Sequence, residues 1–453
     1  MSAAPIEPSG TEKLNGYLLR SAIVAAIGGL LFGFDTAVIA GATRALTAEY
    51  SLSPAMLGFT VSSALWGTVL GSLFAGPPSD RYGRRGCLRA LGILYVFSAL
   101  GCALAWSWYS LLLLRVVGGL AIGGSSVIGP MYIAEIAPAA KRGRLVGFFQ
   151  FNVVLGILLA YLSNYLVAQV GFGAAEWRFK FGVAALPAAA FFVALFGIPQ
   201  SPRWLVKVGR SSEAREVLVK IGEKDVDREL NEIEQSIGAE RGVRSEPLFQ
   251  LRYRKPIFLA ITIGMFNQLA GINAILYYLN DIFERAGFSR VSSDAQAVAI
   301  GLTNLIFTMI AMTVIYKIGR KKLLLTGAIG TGVCLAGVSA IFASGRHGEY
   351  LLWLLVTYIA FFAFSQGAVI WVYISEVFPN LVRAKGQGLG SFTHWIMNAL
   401  ISAIFPVMAV SSGAAPFVFF AAMMAVQFAV VWIWYPETKG VSLEEMENRL
   451  SSN

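Results

Sequence analysis

Charge is what this chain has least of. Of its 453 residues only 14% are Asp, Glu, Lys or Arg, against about 25% in an ordinary soluble domain, so a water-soluble globule is excluded. Cysteine is scarce too: Cys87, Cys102 and Cys334 are odd in number and lie in or beside apolar runs, which excludes a disulfide framework and leaves packing as their role. No Asn-x-Ser/Thr sequon occurs, which suits a bacterial protein better than a eukaryotic surface one. The first seventeen residues are polar with a single Lys, and the apolar run behind them is too long for a signal-peptide core, so no cleavage is expected. No nucleophile, base and metal gather in the apolar segments, so neither an enzyme nor a cofactor is expected.

What the chain has is apolar length, with 56% hydrophobic residues and 47 Gly. A bilayer core of about 30 Å needs about 20 apolar residues per helix. Twelve stretches qualify, near 18–41, 55–77, 88–106, 109–134, 145–170, 179–199, 256–284, 295–316, 323–344, 350–375, 386–410 and 414–435. This is the pattern of an all-α membrane protein with twelve transmembrane helices. The net charge of +10 gathers in alternate loops: Arg81, Arg84, Arg85 and Arg89; Lys141, Arg142 and Arg144; Lys317, Arg320, Lys321 and Lys322; Arg383 and Lys385. That is the positive-inside pattern, which puts these loops and both termini in the cytoplasm. The basic charge is topogenic, and no nucleic-acid partner is expected.

The chain repeats itself at an offset of about half its length. Tyr82-Gly-Arg-Arg-Gly pairs with Ile318-Gly-Arg-Lys-Lys, Glu135-Ile-Ala-Pro with Glu376-Val-Phe-Pro, and Pro199-Gln-Ser-Pro with Pro436-Glu-Thr-Lys. Two parallel six-helix halves, 1–199 and 256–435, are one of the recurrent transporter plans, with the substrate site at mid-depth between them. Residues 200–255 form a charged linker in which Val226, Leu230, Ile233 and Ile237 recur at helical spacing, predicting short cytoplasmic helices. Ser442-Leu-Glu-Glu reads as a capping box opening another short helix within 436–453.

Asp35 stands inside an otherwise apolar run, and the comparably placed cation in that half is Arg115. A carboxylate at membrane depth costs several kcal/mol unless paired, hydrated or protonated, so it signals function. Each lies about 10 Å below the outer surface at 1.5 Å per residue, so the two can meet. An Asp held by a buried Arg loses its proton readily, and one stripped of partner and water keeps it. A carrier that joins and separates the pair would load and release a proton. A permanent structural pair between the two helices is the alternative. At the repeat offset, Asp35 in Gly33-Phe-Asp faces Asn273 in Gly271-Ile-Asn, so one half keeps a charge where the other keeps an amide.

Six motifs in order carry a resemblance: Gly76-Pro-Pro-Ser-Asp-Arg-Tyr-Gly-Arg-Arg, Arg115-Val-Val-Gly-Gly, Pro130-Met-Tyr-Ile-Ala-Glu into Arg142-Gly, Gln268-Leu-Ala-Gly-Ile-Asn, Glu376 to Arg383, and Pro436-Glu-Thr-Lys-Gly. With them the chain resembles the sugar porters of the major facilitator superfamily over essentially its full length. The resemblance implies the major facilitator fold and alternating access. Proton-coupled members have Asp at the position of Asp35, and facilitative glucose transporters have Asn. The chain departs from the family at Gln200, where Glu is usual, and at Tyr316, where the first half has Asp80. It also has Gly367-Ala368 in place of Gly-Pro and His394 where Gln is frequent. The changes at Gln200, Tyr316 and Gly367-Ala368 are expected to soften a few cytoplasmic contacts and one helix kink.

A sugar offers a ring of hydroxyls and apolar faces, so its pocket needs carboxamides, which both donate and accept, beside aromatic rings. Candidates are Phe32, Gln150, Asn267, Gln268, Asn273, Asn304, Trp371, Trp395 and Asn398, most of them at sugar-contacting positions of the resembled family. His394 can serve as a substrate donor or as a neutral packing residue. On a straight helix Gln268 and Asn273 point about 140° apart, so a shared pocket requires a break, for which Gly271 is the candidate. Tyr277 and Tyr278 beyond it would form an extracellular gate. Trp106, Trp108, Trp177, Trp353 and Trp434 read as interfacial anchors. At the cytoplasmic ends Glu135 with Arg142 and Glu376 with Arg383, symmetry-related, and Asp80 with Arg84 and Arg85 offer a latch that could pair across the halves, or simply topogenic and capping charge.

The leading expectation is proton-coupled uptake of a hexose or pentose such as glucose or xylose by a monomer in the lipid bilayer. Passive facilitation of the same sugars, polyol transport and non-transporting sugar sensing are the alternatives.

Overall fold

The computed structural model describes residues 15–138, 141–242, 246–379, 381–441 and 443–451, with the backbone alone at 239–242, 316, 443–444 and 451. Twelve segments among the described residues are long and apolar enough to cross a membrane. They are numbered here as spans 1 to 12: Gly16–Gly41, Pro54–Phe74, Arg84–Ala103, Trp108–Ile136, Arg142–Val170, Gly173–Gly197, Leu251–Tyr277, Arg290–Ile315, Arg320–Ser344, Gly348–Val377, Arg383–Ser411 and Ala415–Trp434. The fold is all-α, in the two-domain arrangement of the major facilitator superfamily.

Local chemistry sets the helix ends. Asn15 caps span 1 by accepting from the amide of Tyr17 at 2.8 Å, and Ser53 caps span 2 ahead of Pro54, filling orphan amides at each start. The duplicated Gly-Arg motif makes the same corner twice: Gly83 and Gly319 adopt positive φ, of 80° and 104°, and each hands the chain directly into a new helix. Both corners are pinned by side chains from the far end of their own half. Gln200 accepts from the amide of Arg85 at 3.1 Å, and Glu437 accepts from that of Arg320 at 2.9 Å. Gln200 thus retains the acceptor role of a Glu, and the contact is kept. Several helices begin earlier than hydropathy suggested, span 3 at Arg84 rather than residue 88, because Arg and Lys stems extend along the helix while their charged heads reach the interface.

The linker folds as Pro202–Lys207, Ser211–Lys220 and Val226–Gly242, and a terminal helix runs Leu443–Ser451; its expected cap, Ser442, lies outside the described residues. Trp106, Trp353 and Trp434 are exposed as anchors should be. Trp177 is not an anchor: it is fully buried, packed edge-on to Tyr50 and Phe181. Hydropathy places it at a span end, but the neighbouring segments close over it. The three cysteines are free and buried.

The apolar core is divided unevenly. Near the face that carries the basic loops, each half has its own cluster, one around Leu18, Tyr132 and Leu205 and one around Leu259, Tyr373 and Tyr435. Toward the opposite face a single cluster runs through both halves, from Phe34, Tyr161 and Trp177 to Tyr277, Phe283 and Trp395. There spans 2 and 11 approach so closely that a Cβ on Gly58 would fall 1.9 Å from the carbonyl oxygen of Ala403. The molecule is closed on the face opposite the basic loops.

Candidate transport site

Asp35 lies in the helix Gly16–Val38 and Arg115 in Trp108–Ile136. Their closest approach is 3.6 Å, with Arg115 only 3% exposed and Asp35 29%. Nε and Nη1 of Arg115 have no hydrogen-bond partner among the described residues, and its guanidinium sits over the ring of Phe181 at 5.5 Å. Buried guanidinium donors are expensive to leave unfilled. The pair is therefore a loose one, with donors in reserve for water or a tighter approach. A void of about 10 Å³ beside it is lined by Phe32, Asp35, Thr36, Arg115 and Tyr277, at the lower limit for a single water.

Tyr277 comes from the other half, and it arrives there because span 7 is broken. The helix Arg254–Leu269 ends, Gly271 takes φ 84°, and a short helix Ile272–Tyr277 restarts the chain. A second turn at Tyr278 leads to the helix Leu279–Arg285, so the apolar stretch read as one span to residue 284 is three helices. Broken backbone at membrane depth is tolerated only where it is buried in protein or lines a cavity. Here Tyr358 satisfies the carbonyl of Ala270 at 2.8 Å and Tyr161, from the first half, that of Leu276 at 2.8 Å. Asn398 donates to the Tyr277 hydroxyl at 3.3 Å, and Tyr278 donates to the carbonyl of Ser402 at 2.9 Å while stacking on Phe405.

The break turns the carboxamides toward one another. Asn273 donates to Oε1 of Gln268 at 3.0 Å, Gln268 donates to Oδ1 of Asn267 at 3.0 Å, and its Nε2 lies 3.2 Å from Nδ1 of His394. His394 sits between Trp371 and Trp395, each ring centroid 5.1 Å away, and Trp395 meets Phe32 of the first half at 5.4 Å. Trp371, in the inner part of span 10, is 41% exposed. Asn304 is buried beside Thr308. Gln150 lies in span 5 and is partly buried.

The latch residues pair within each half. Arg84 holds Glu135 at 2.8 Å and Asp80 at 2.9 Å; Arg320 holds Glu376 at 2.7 Å. Arg85 donates to the carbonyl of Ile198 and Arg383 to that of Phe378, while Arg142 is exposed at the start of span 5. Burial pulls the Asp80 carboxyl upward, but hydrogen bonds and charge from Lys207 and Arg84 outweigh it and hold the group below the ordinary carboxylate range. Sequence reasoning paired Glu135 and Glu376 with downstream arginines and missed Arg84 and Arg320 as their partners; the repeated Gly-Arg corner was the available signal. It also missed the break in span 10, at Ser365 between Leu351–Phe364 and Gln366–Val377. The kink survives without a proline, since Ser365 lies against Gly327, where a Cβ would fall 1.9 Å from its hydroxyl.

The sugar (and other) transporter family model matches residues 21–450. The arabinose-proton symporter of Bacillus subtilis is 38% identical over 440 residues, covering 95% of each chain. The glucose transport protein of Synechocystis is 34% identical, covering 98% of this chain and 99% of its own. The solved inward open conformation of the xylose transporter from Escherichia coli superposes with a TM-score of 0.86 at 32% identity, covering 96% of this chain and all of that one.

Proposed function

Because this chain belongs to the sugar transporter family of the major facilitator superfamily, we propose that it is a proton-coupled monosaccharide symporter, loading sugar and proton together and carrying them through the membrane by alternating access. It is a multi-pass membrane transporter and not an enzyme. The basic loops and both termini face the cytoplasm, in keeping with the positive-inside rule, and the closed face is the outer one. The described conformation is then inward-facing, in line with its likeness to an inward open relative.

One observation carries the coupling: the loose Asp35–Arg115 pair shares its void with Tyr277, a residue of the segment that also bears Asn273. Movement of that segment with sugar would change the water and the partner available to Asp35, and with them its protonation. Gln268 and Asn273, with Asn267, His394 and Asn398, bind the hydroxyls; Phe32, Trp371 and Trp395 cover the apolar faces; Gln150 and Asn304 approach from spans 5 and 8 when the cavity fills. Tyr277 and Tyr278 gate the outer side about Gly271. Asp80, Arg84, Arg85, Glu135, Arg142, Glu376 and Arg383 reach across the inner face when it closes. The preferred sugar is a pentose or hexose such as xylose or glucose, and the carrier works as a monomer.

The test uses reconstituted vesicles. Asp35→Asn should abolish uphill sugar accumulation under an imposed pH gradient and leave sugar counterflow intact. Undiminished pH-driven accumulation by the variant would refute the coupling role, and wild-type uptake that only equilibrates sugar, with or without the gradient, would favour passive facilitation.

A further inference from the structure

At the outer ends of the two halves lie three buried charges, Glu176, Lys180 and Asp294, and an exposed one, Arg290, that the sugar and proton sites do not use. Glu176 and Lys180 stand one turn apart on span 6; Arg290 and Asp294 stand one turn apart on span 8. Lys180 and Asp294 are each 1% exposed. The order of sign is opposite in the two helices, acid before base in the first half and base before acid in the second. Both helices run from the outer face inward, so the four residues form two rungs of opposite charge. Arg290 pairs with Glu176 on the outer rung, and Lys180 lies 3.5 Å from Asp294 on the inner one. Lys180 also holds Glu176 at 2.8 Å and donates to the carbonyl of Gly41 at 3.0 Å, while Asn280 donates to Asp294 at 2.5 Å.

A buried ion pair is costly to break when one partner stays behind uncompensated. A gate built that way would not open. Here each charge has an opposite one in its own helix, because residues four apart are neighbours: Glu176 already holds Lys180, and Asp294, not paired with Arg290 in this conformation, can turn to it as the rungs part. A cavity of about 390 Å³ on the outer side, lined in part by Gly41, Arg44, Lys180, Asn280, Asp281 and Arg290, gives water immediate access as the rungs part. We propose that these four residues are the outer gate's exchange lock, trading ion pairs between the halves for pairs within each half on every turnover. The inference rests on the alternating-access reading above and names residues that set its outer equilibrium.

Spin labels at Gln169 in the first half and Ala295 in the second, both exposed, report the outer separation in the full-length protein in nanodiscs. Arg290→Gln with Asp294→Asn should raise the population at long distance about tenfold. Lys180→Asp with Asp294→Lys keeps the inner rung but places like charges one turn apart in each half. It should collapse the distribution to the short distance and stop counterflow. Adding Glu176→Arg and Arg290→Glu to that pair restores both sets of pairings and should return the wild-type distribution. A wild-type distribution for the Lys180/Asp294 exchange, or an unchanged one for the neutral variant, would overturn the lock. Distances are read without sugar or a pH gradient, so a failure of proton coupling would leave them unaffected.

Discussion

Spans 1 and 7 occupy equivalent places in the duplicated chain, and they solve opposite problems with the same glycine. In span 1, Gly33 sits inside an unbroken helix, and a Cβ there would fall 1.9 Å from the carbonyl oxygen of Val153; its smallness clamps span 1 to span 5. In span 7, Gly271 takes a left-handed φ of 84° and ends a helix; its freedom makes a break. The clamped helix carries the carboxylate, Asp35, and the broken one carries the amide, Asn273. On the proposed mechanism the proton site uses a fixed frame and the sugar site a segment that moves, so the duplication would divide these two demands between its copies.

The sharpest way to break this comparison is to exchange the small side chain. Gly33→Ala forces spans 1 and 5 apart and should cost about 1–3 kcal/mol or more by overpacking, seen as a lower melting temperature and poor recovery of folded protein. Recovery and melting equal to the wild type would show that the clamp is unnecessary. Gly271→Ala meets both an unfavourable φ, worth about 1–2 kcal/mol, and the Phe420 ring at 2.4 Å. Its main effect should be a slower turnover, measured as counterflow rate, with sugar affinity changed less. Gln268→Ala removes the centre of the amide network and should weaken sugar binding about tenfold, the equivalent of one good hydrogen bond. Binding calorimetry reads that loss, and proton coupling per sugar moved should be unchanged.

The smallest effect belongs to the basic face, where the two copies share an Arg–Glu pair and only the first adds an Asp to it. Asp80 is held below the ordinary carboxylate range by Lys207 and Arg84, so its ionised form favours the fold. That contribution is complete above the unfolded value of about 3.9 and is lost as pH falls through the lower folded one. Asp80→Asn should be slightly less stable than the wild type at neutral pH and converge with it in acid, in thermal melts across pH. A constant difference at all pH values would remove Asp80 from the acid response.

The architecture was legible because membrane depth imposes it: twelve apolar lengths, alternating basic loops and a parallel repeat leave few other arrangements. The break at Gly271 was legible too, since Gln268 and Asn273 could not share a pocket otherwise. The break at Ser365 was not, because it rests on a neighbouring glycine in span 9 and on no proline of its own. Nor was the partner of Glu135 or Glu376, since an acid at a helix end has several arginines within reach and packing alone selects Arg84 and Arg320. Lys180 escaped notice for a related reason. In sequence it is one of a few charges near a span end, and only the closing of the two halves buries it against Asp294.

The central claim is that Asp35 carries the proton that moves with each sugar. A neutral sugar crossing with a proton carries one positive charge, so a jump in sugar concentration over vesicles adsorbed on a conducting support should drive a current whose size depends on pH. In Asp35→Asn vesicles the sustained current should vanish while counterflow continues. The same pH-dependent current in the variant would contradict the account.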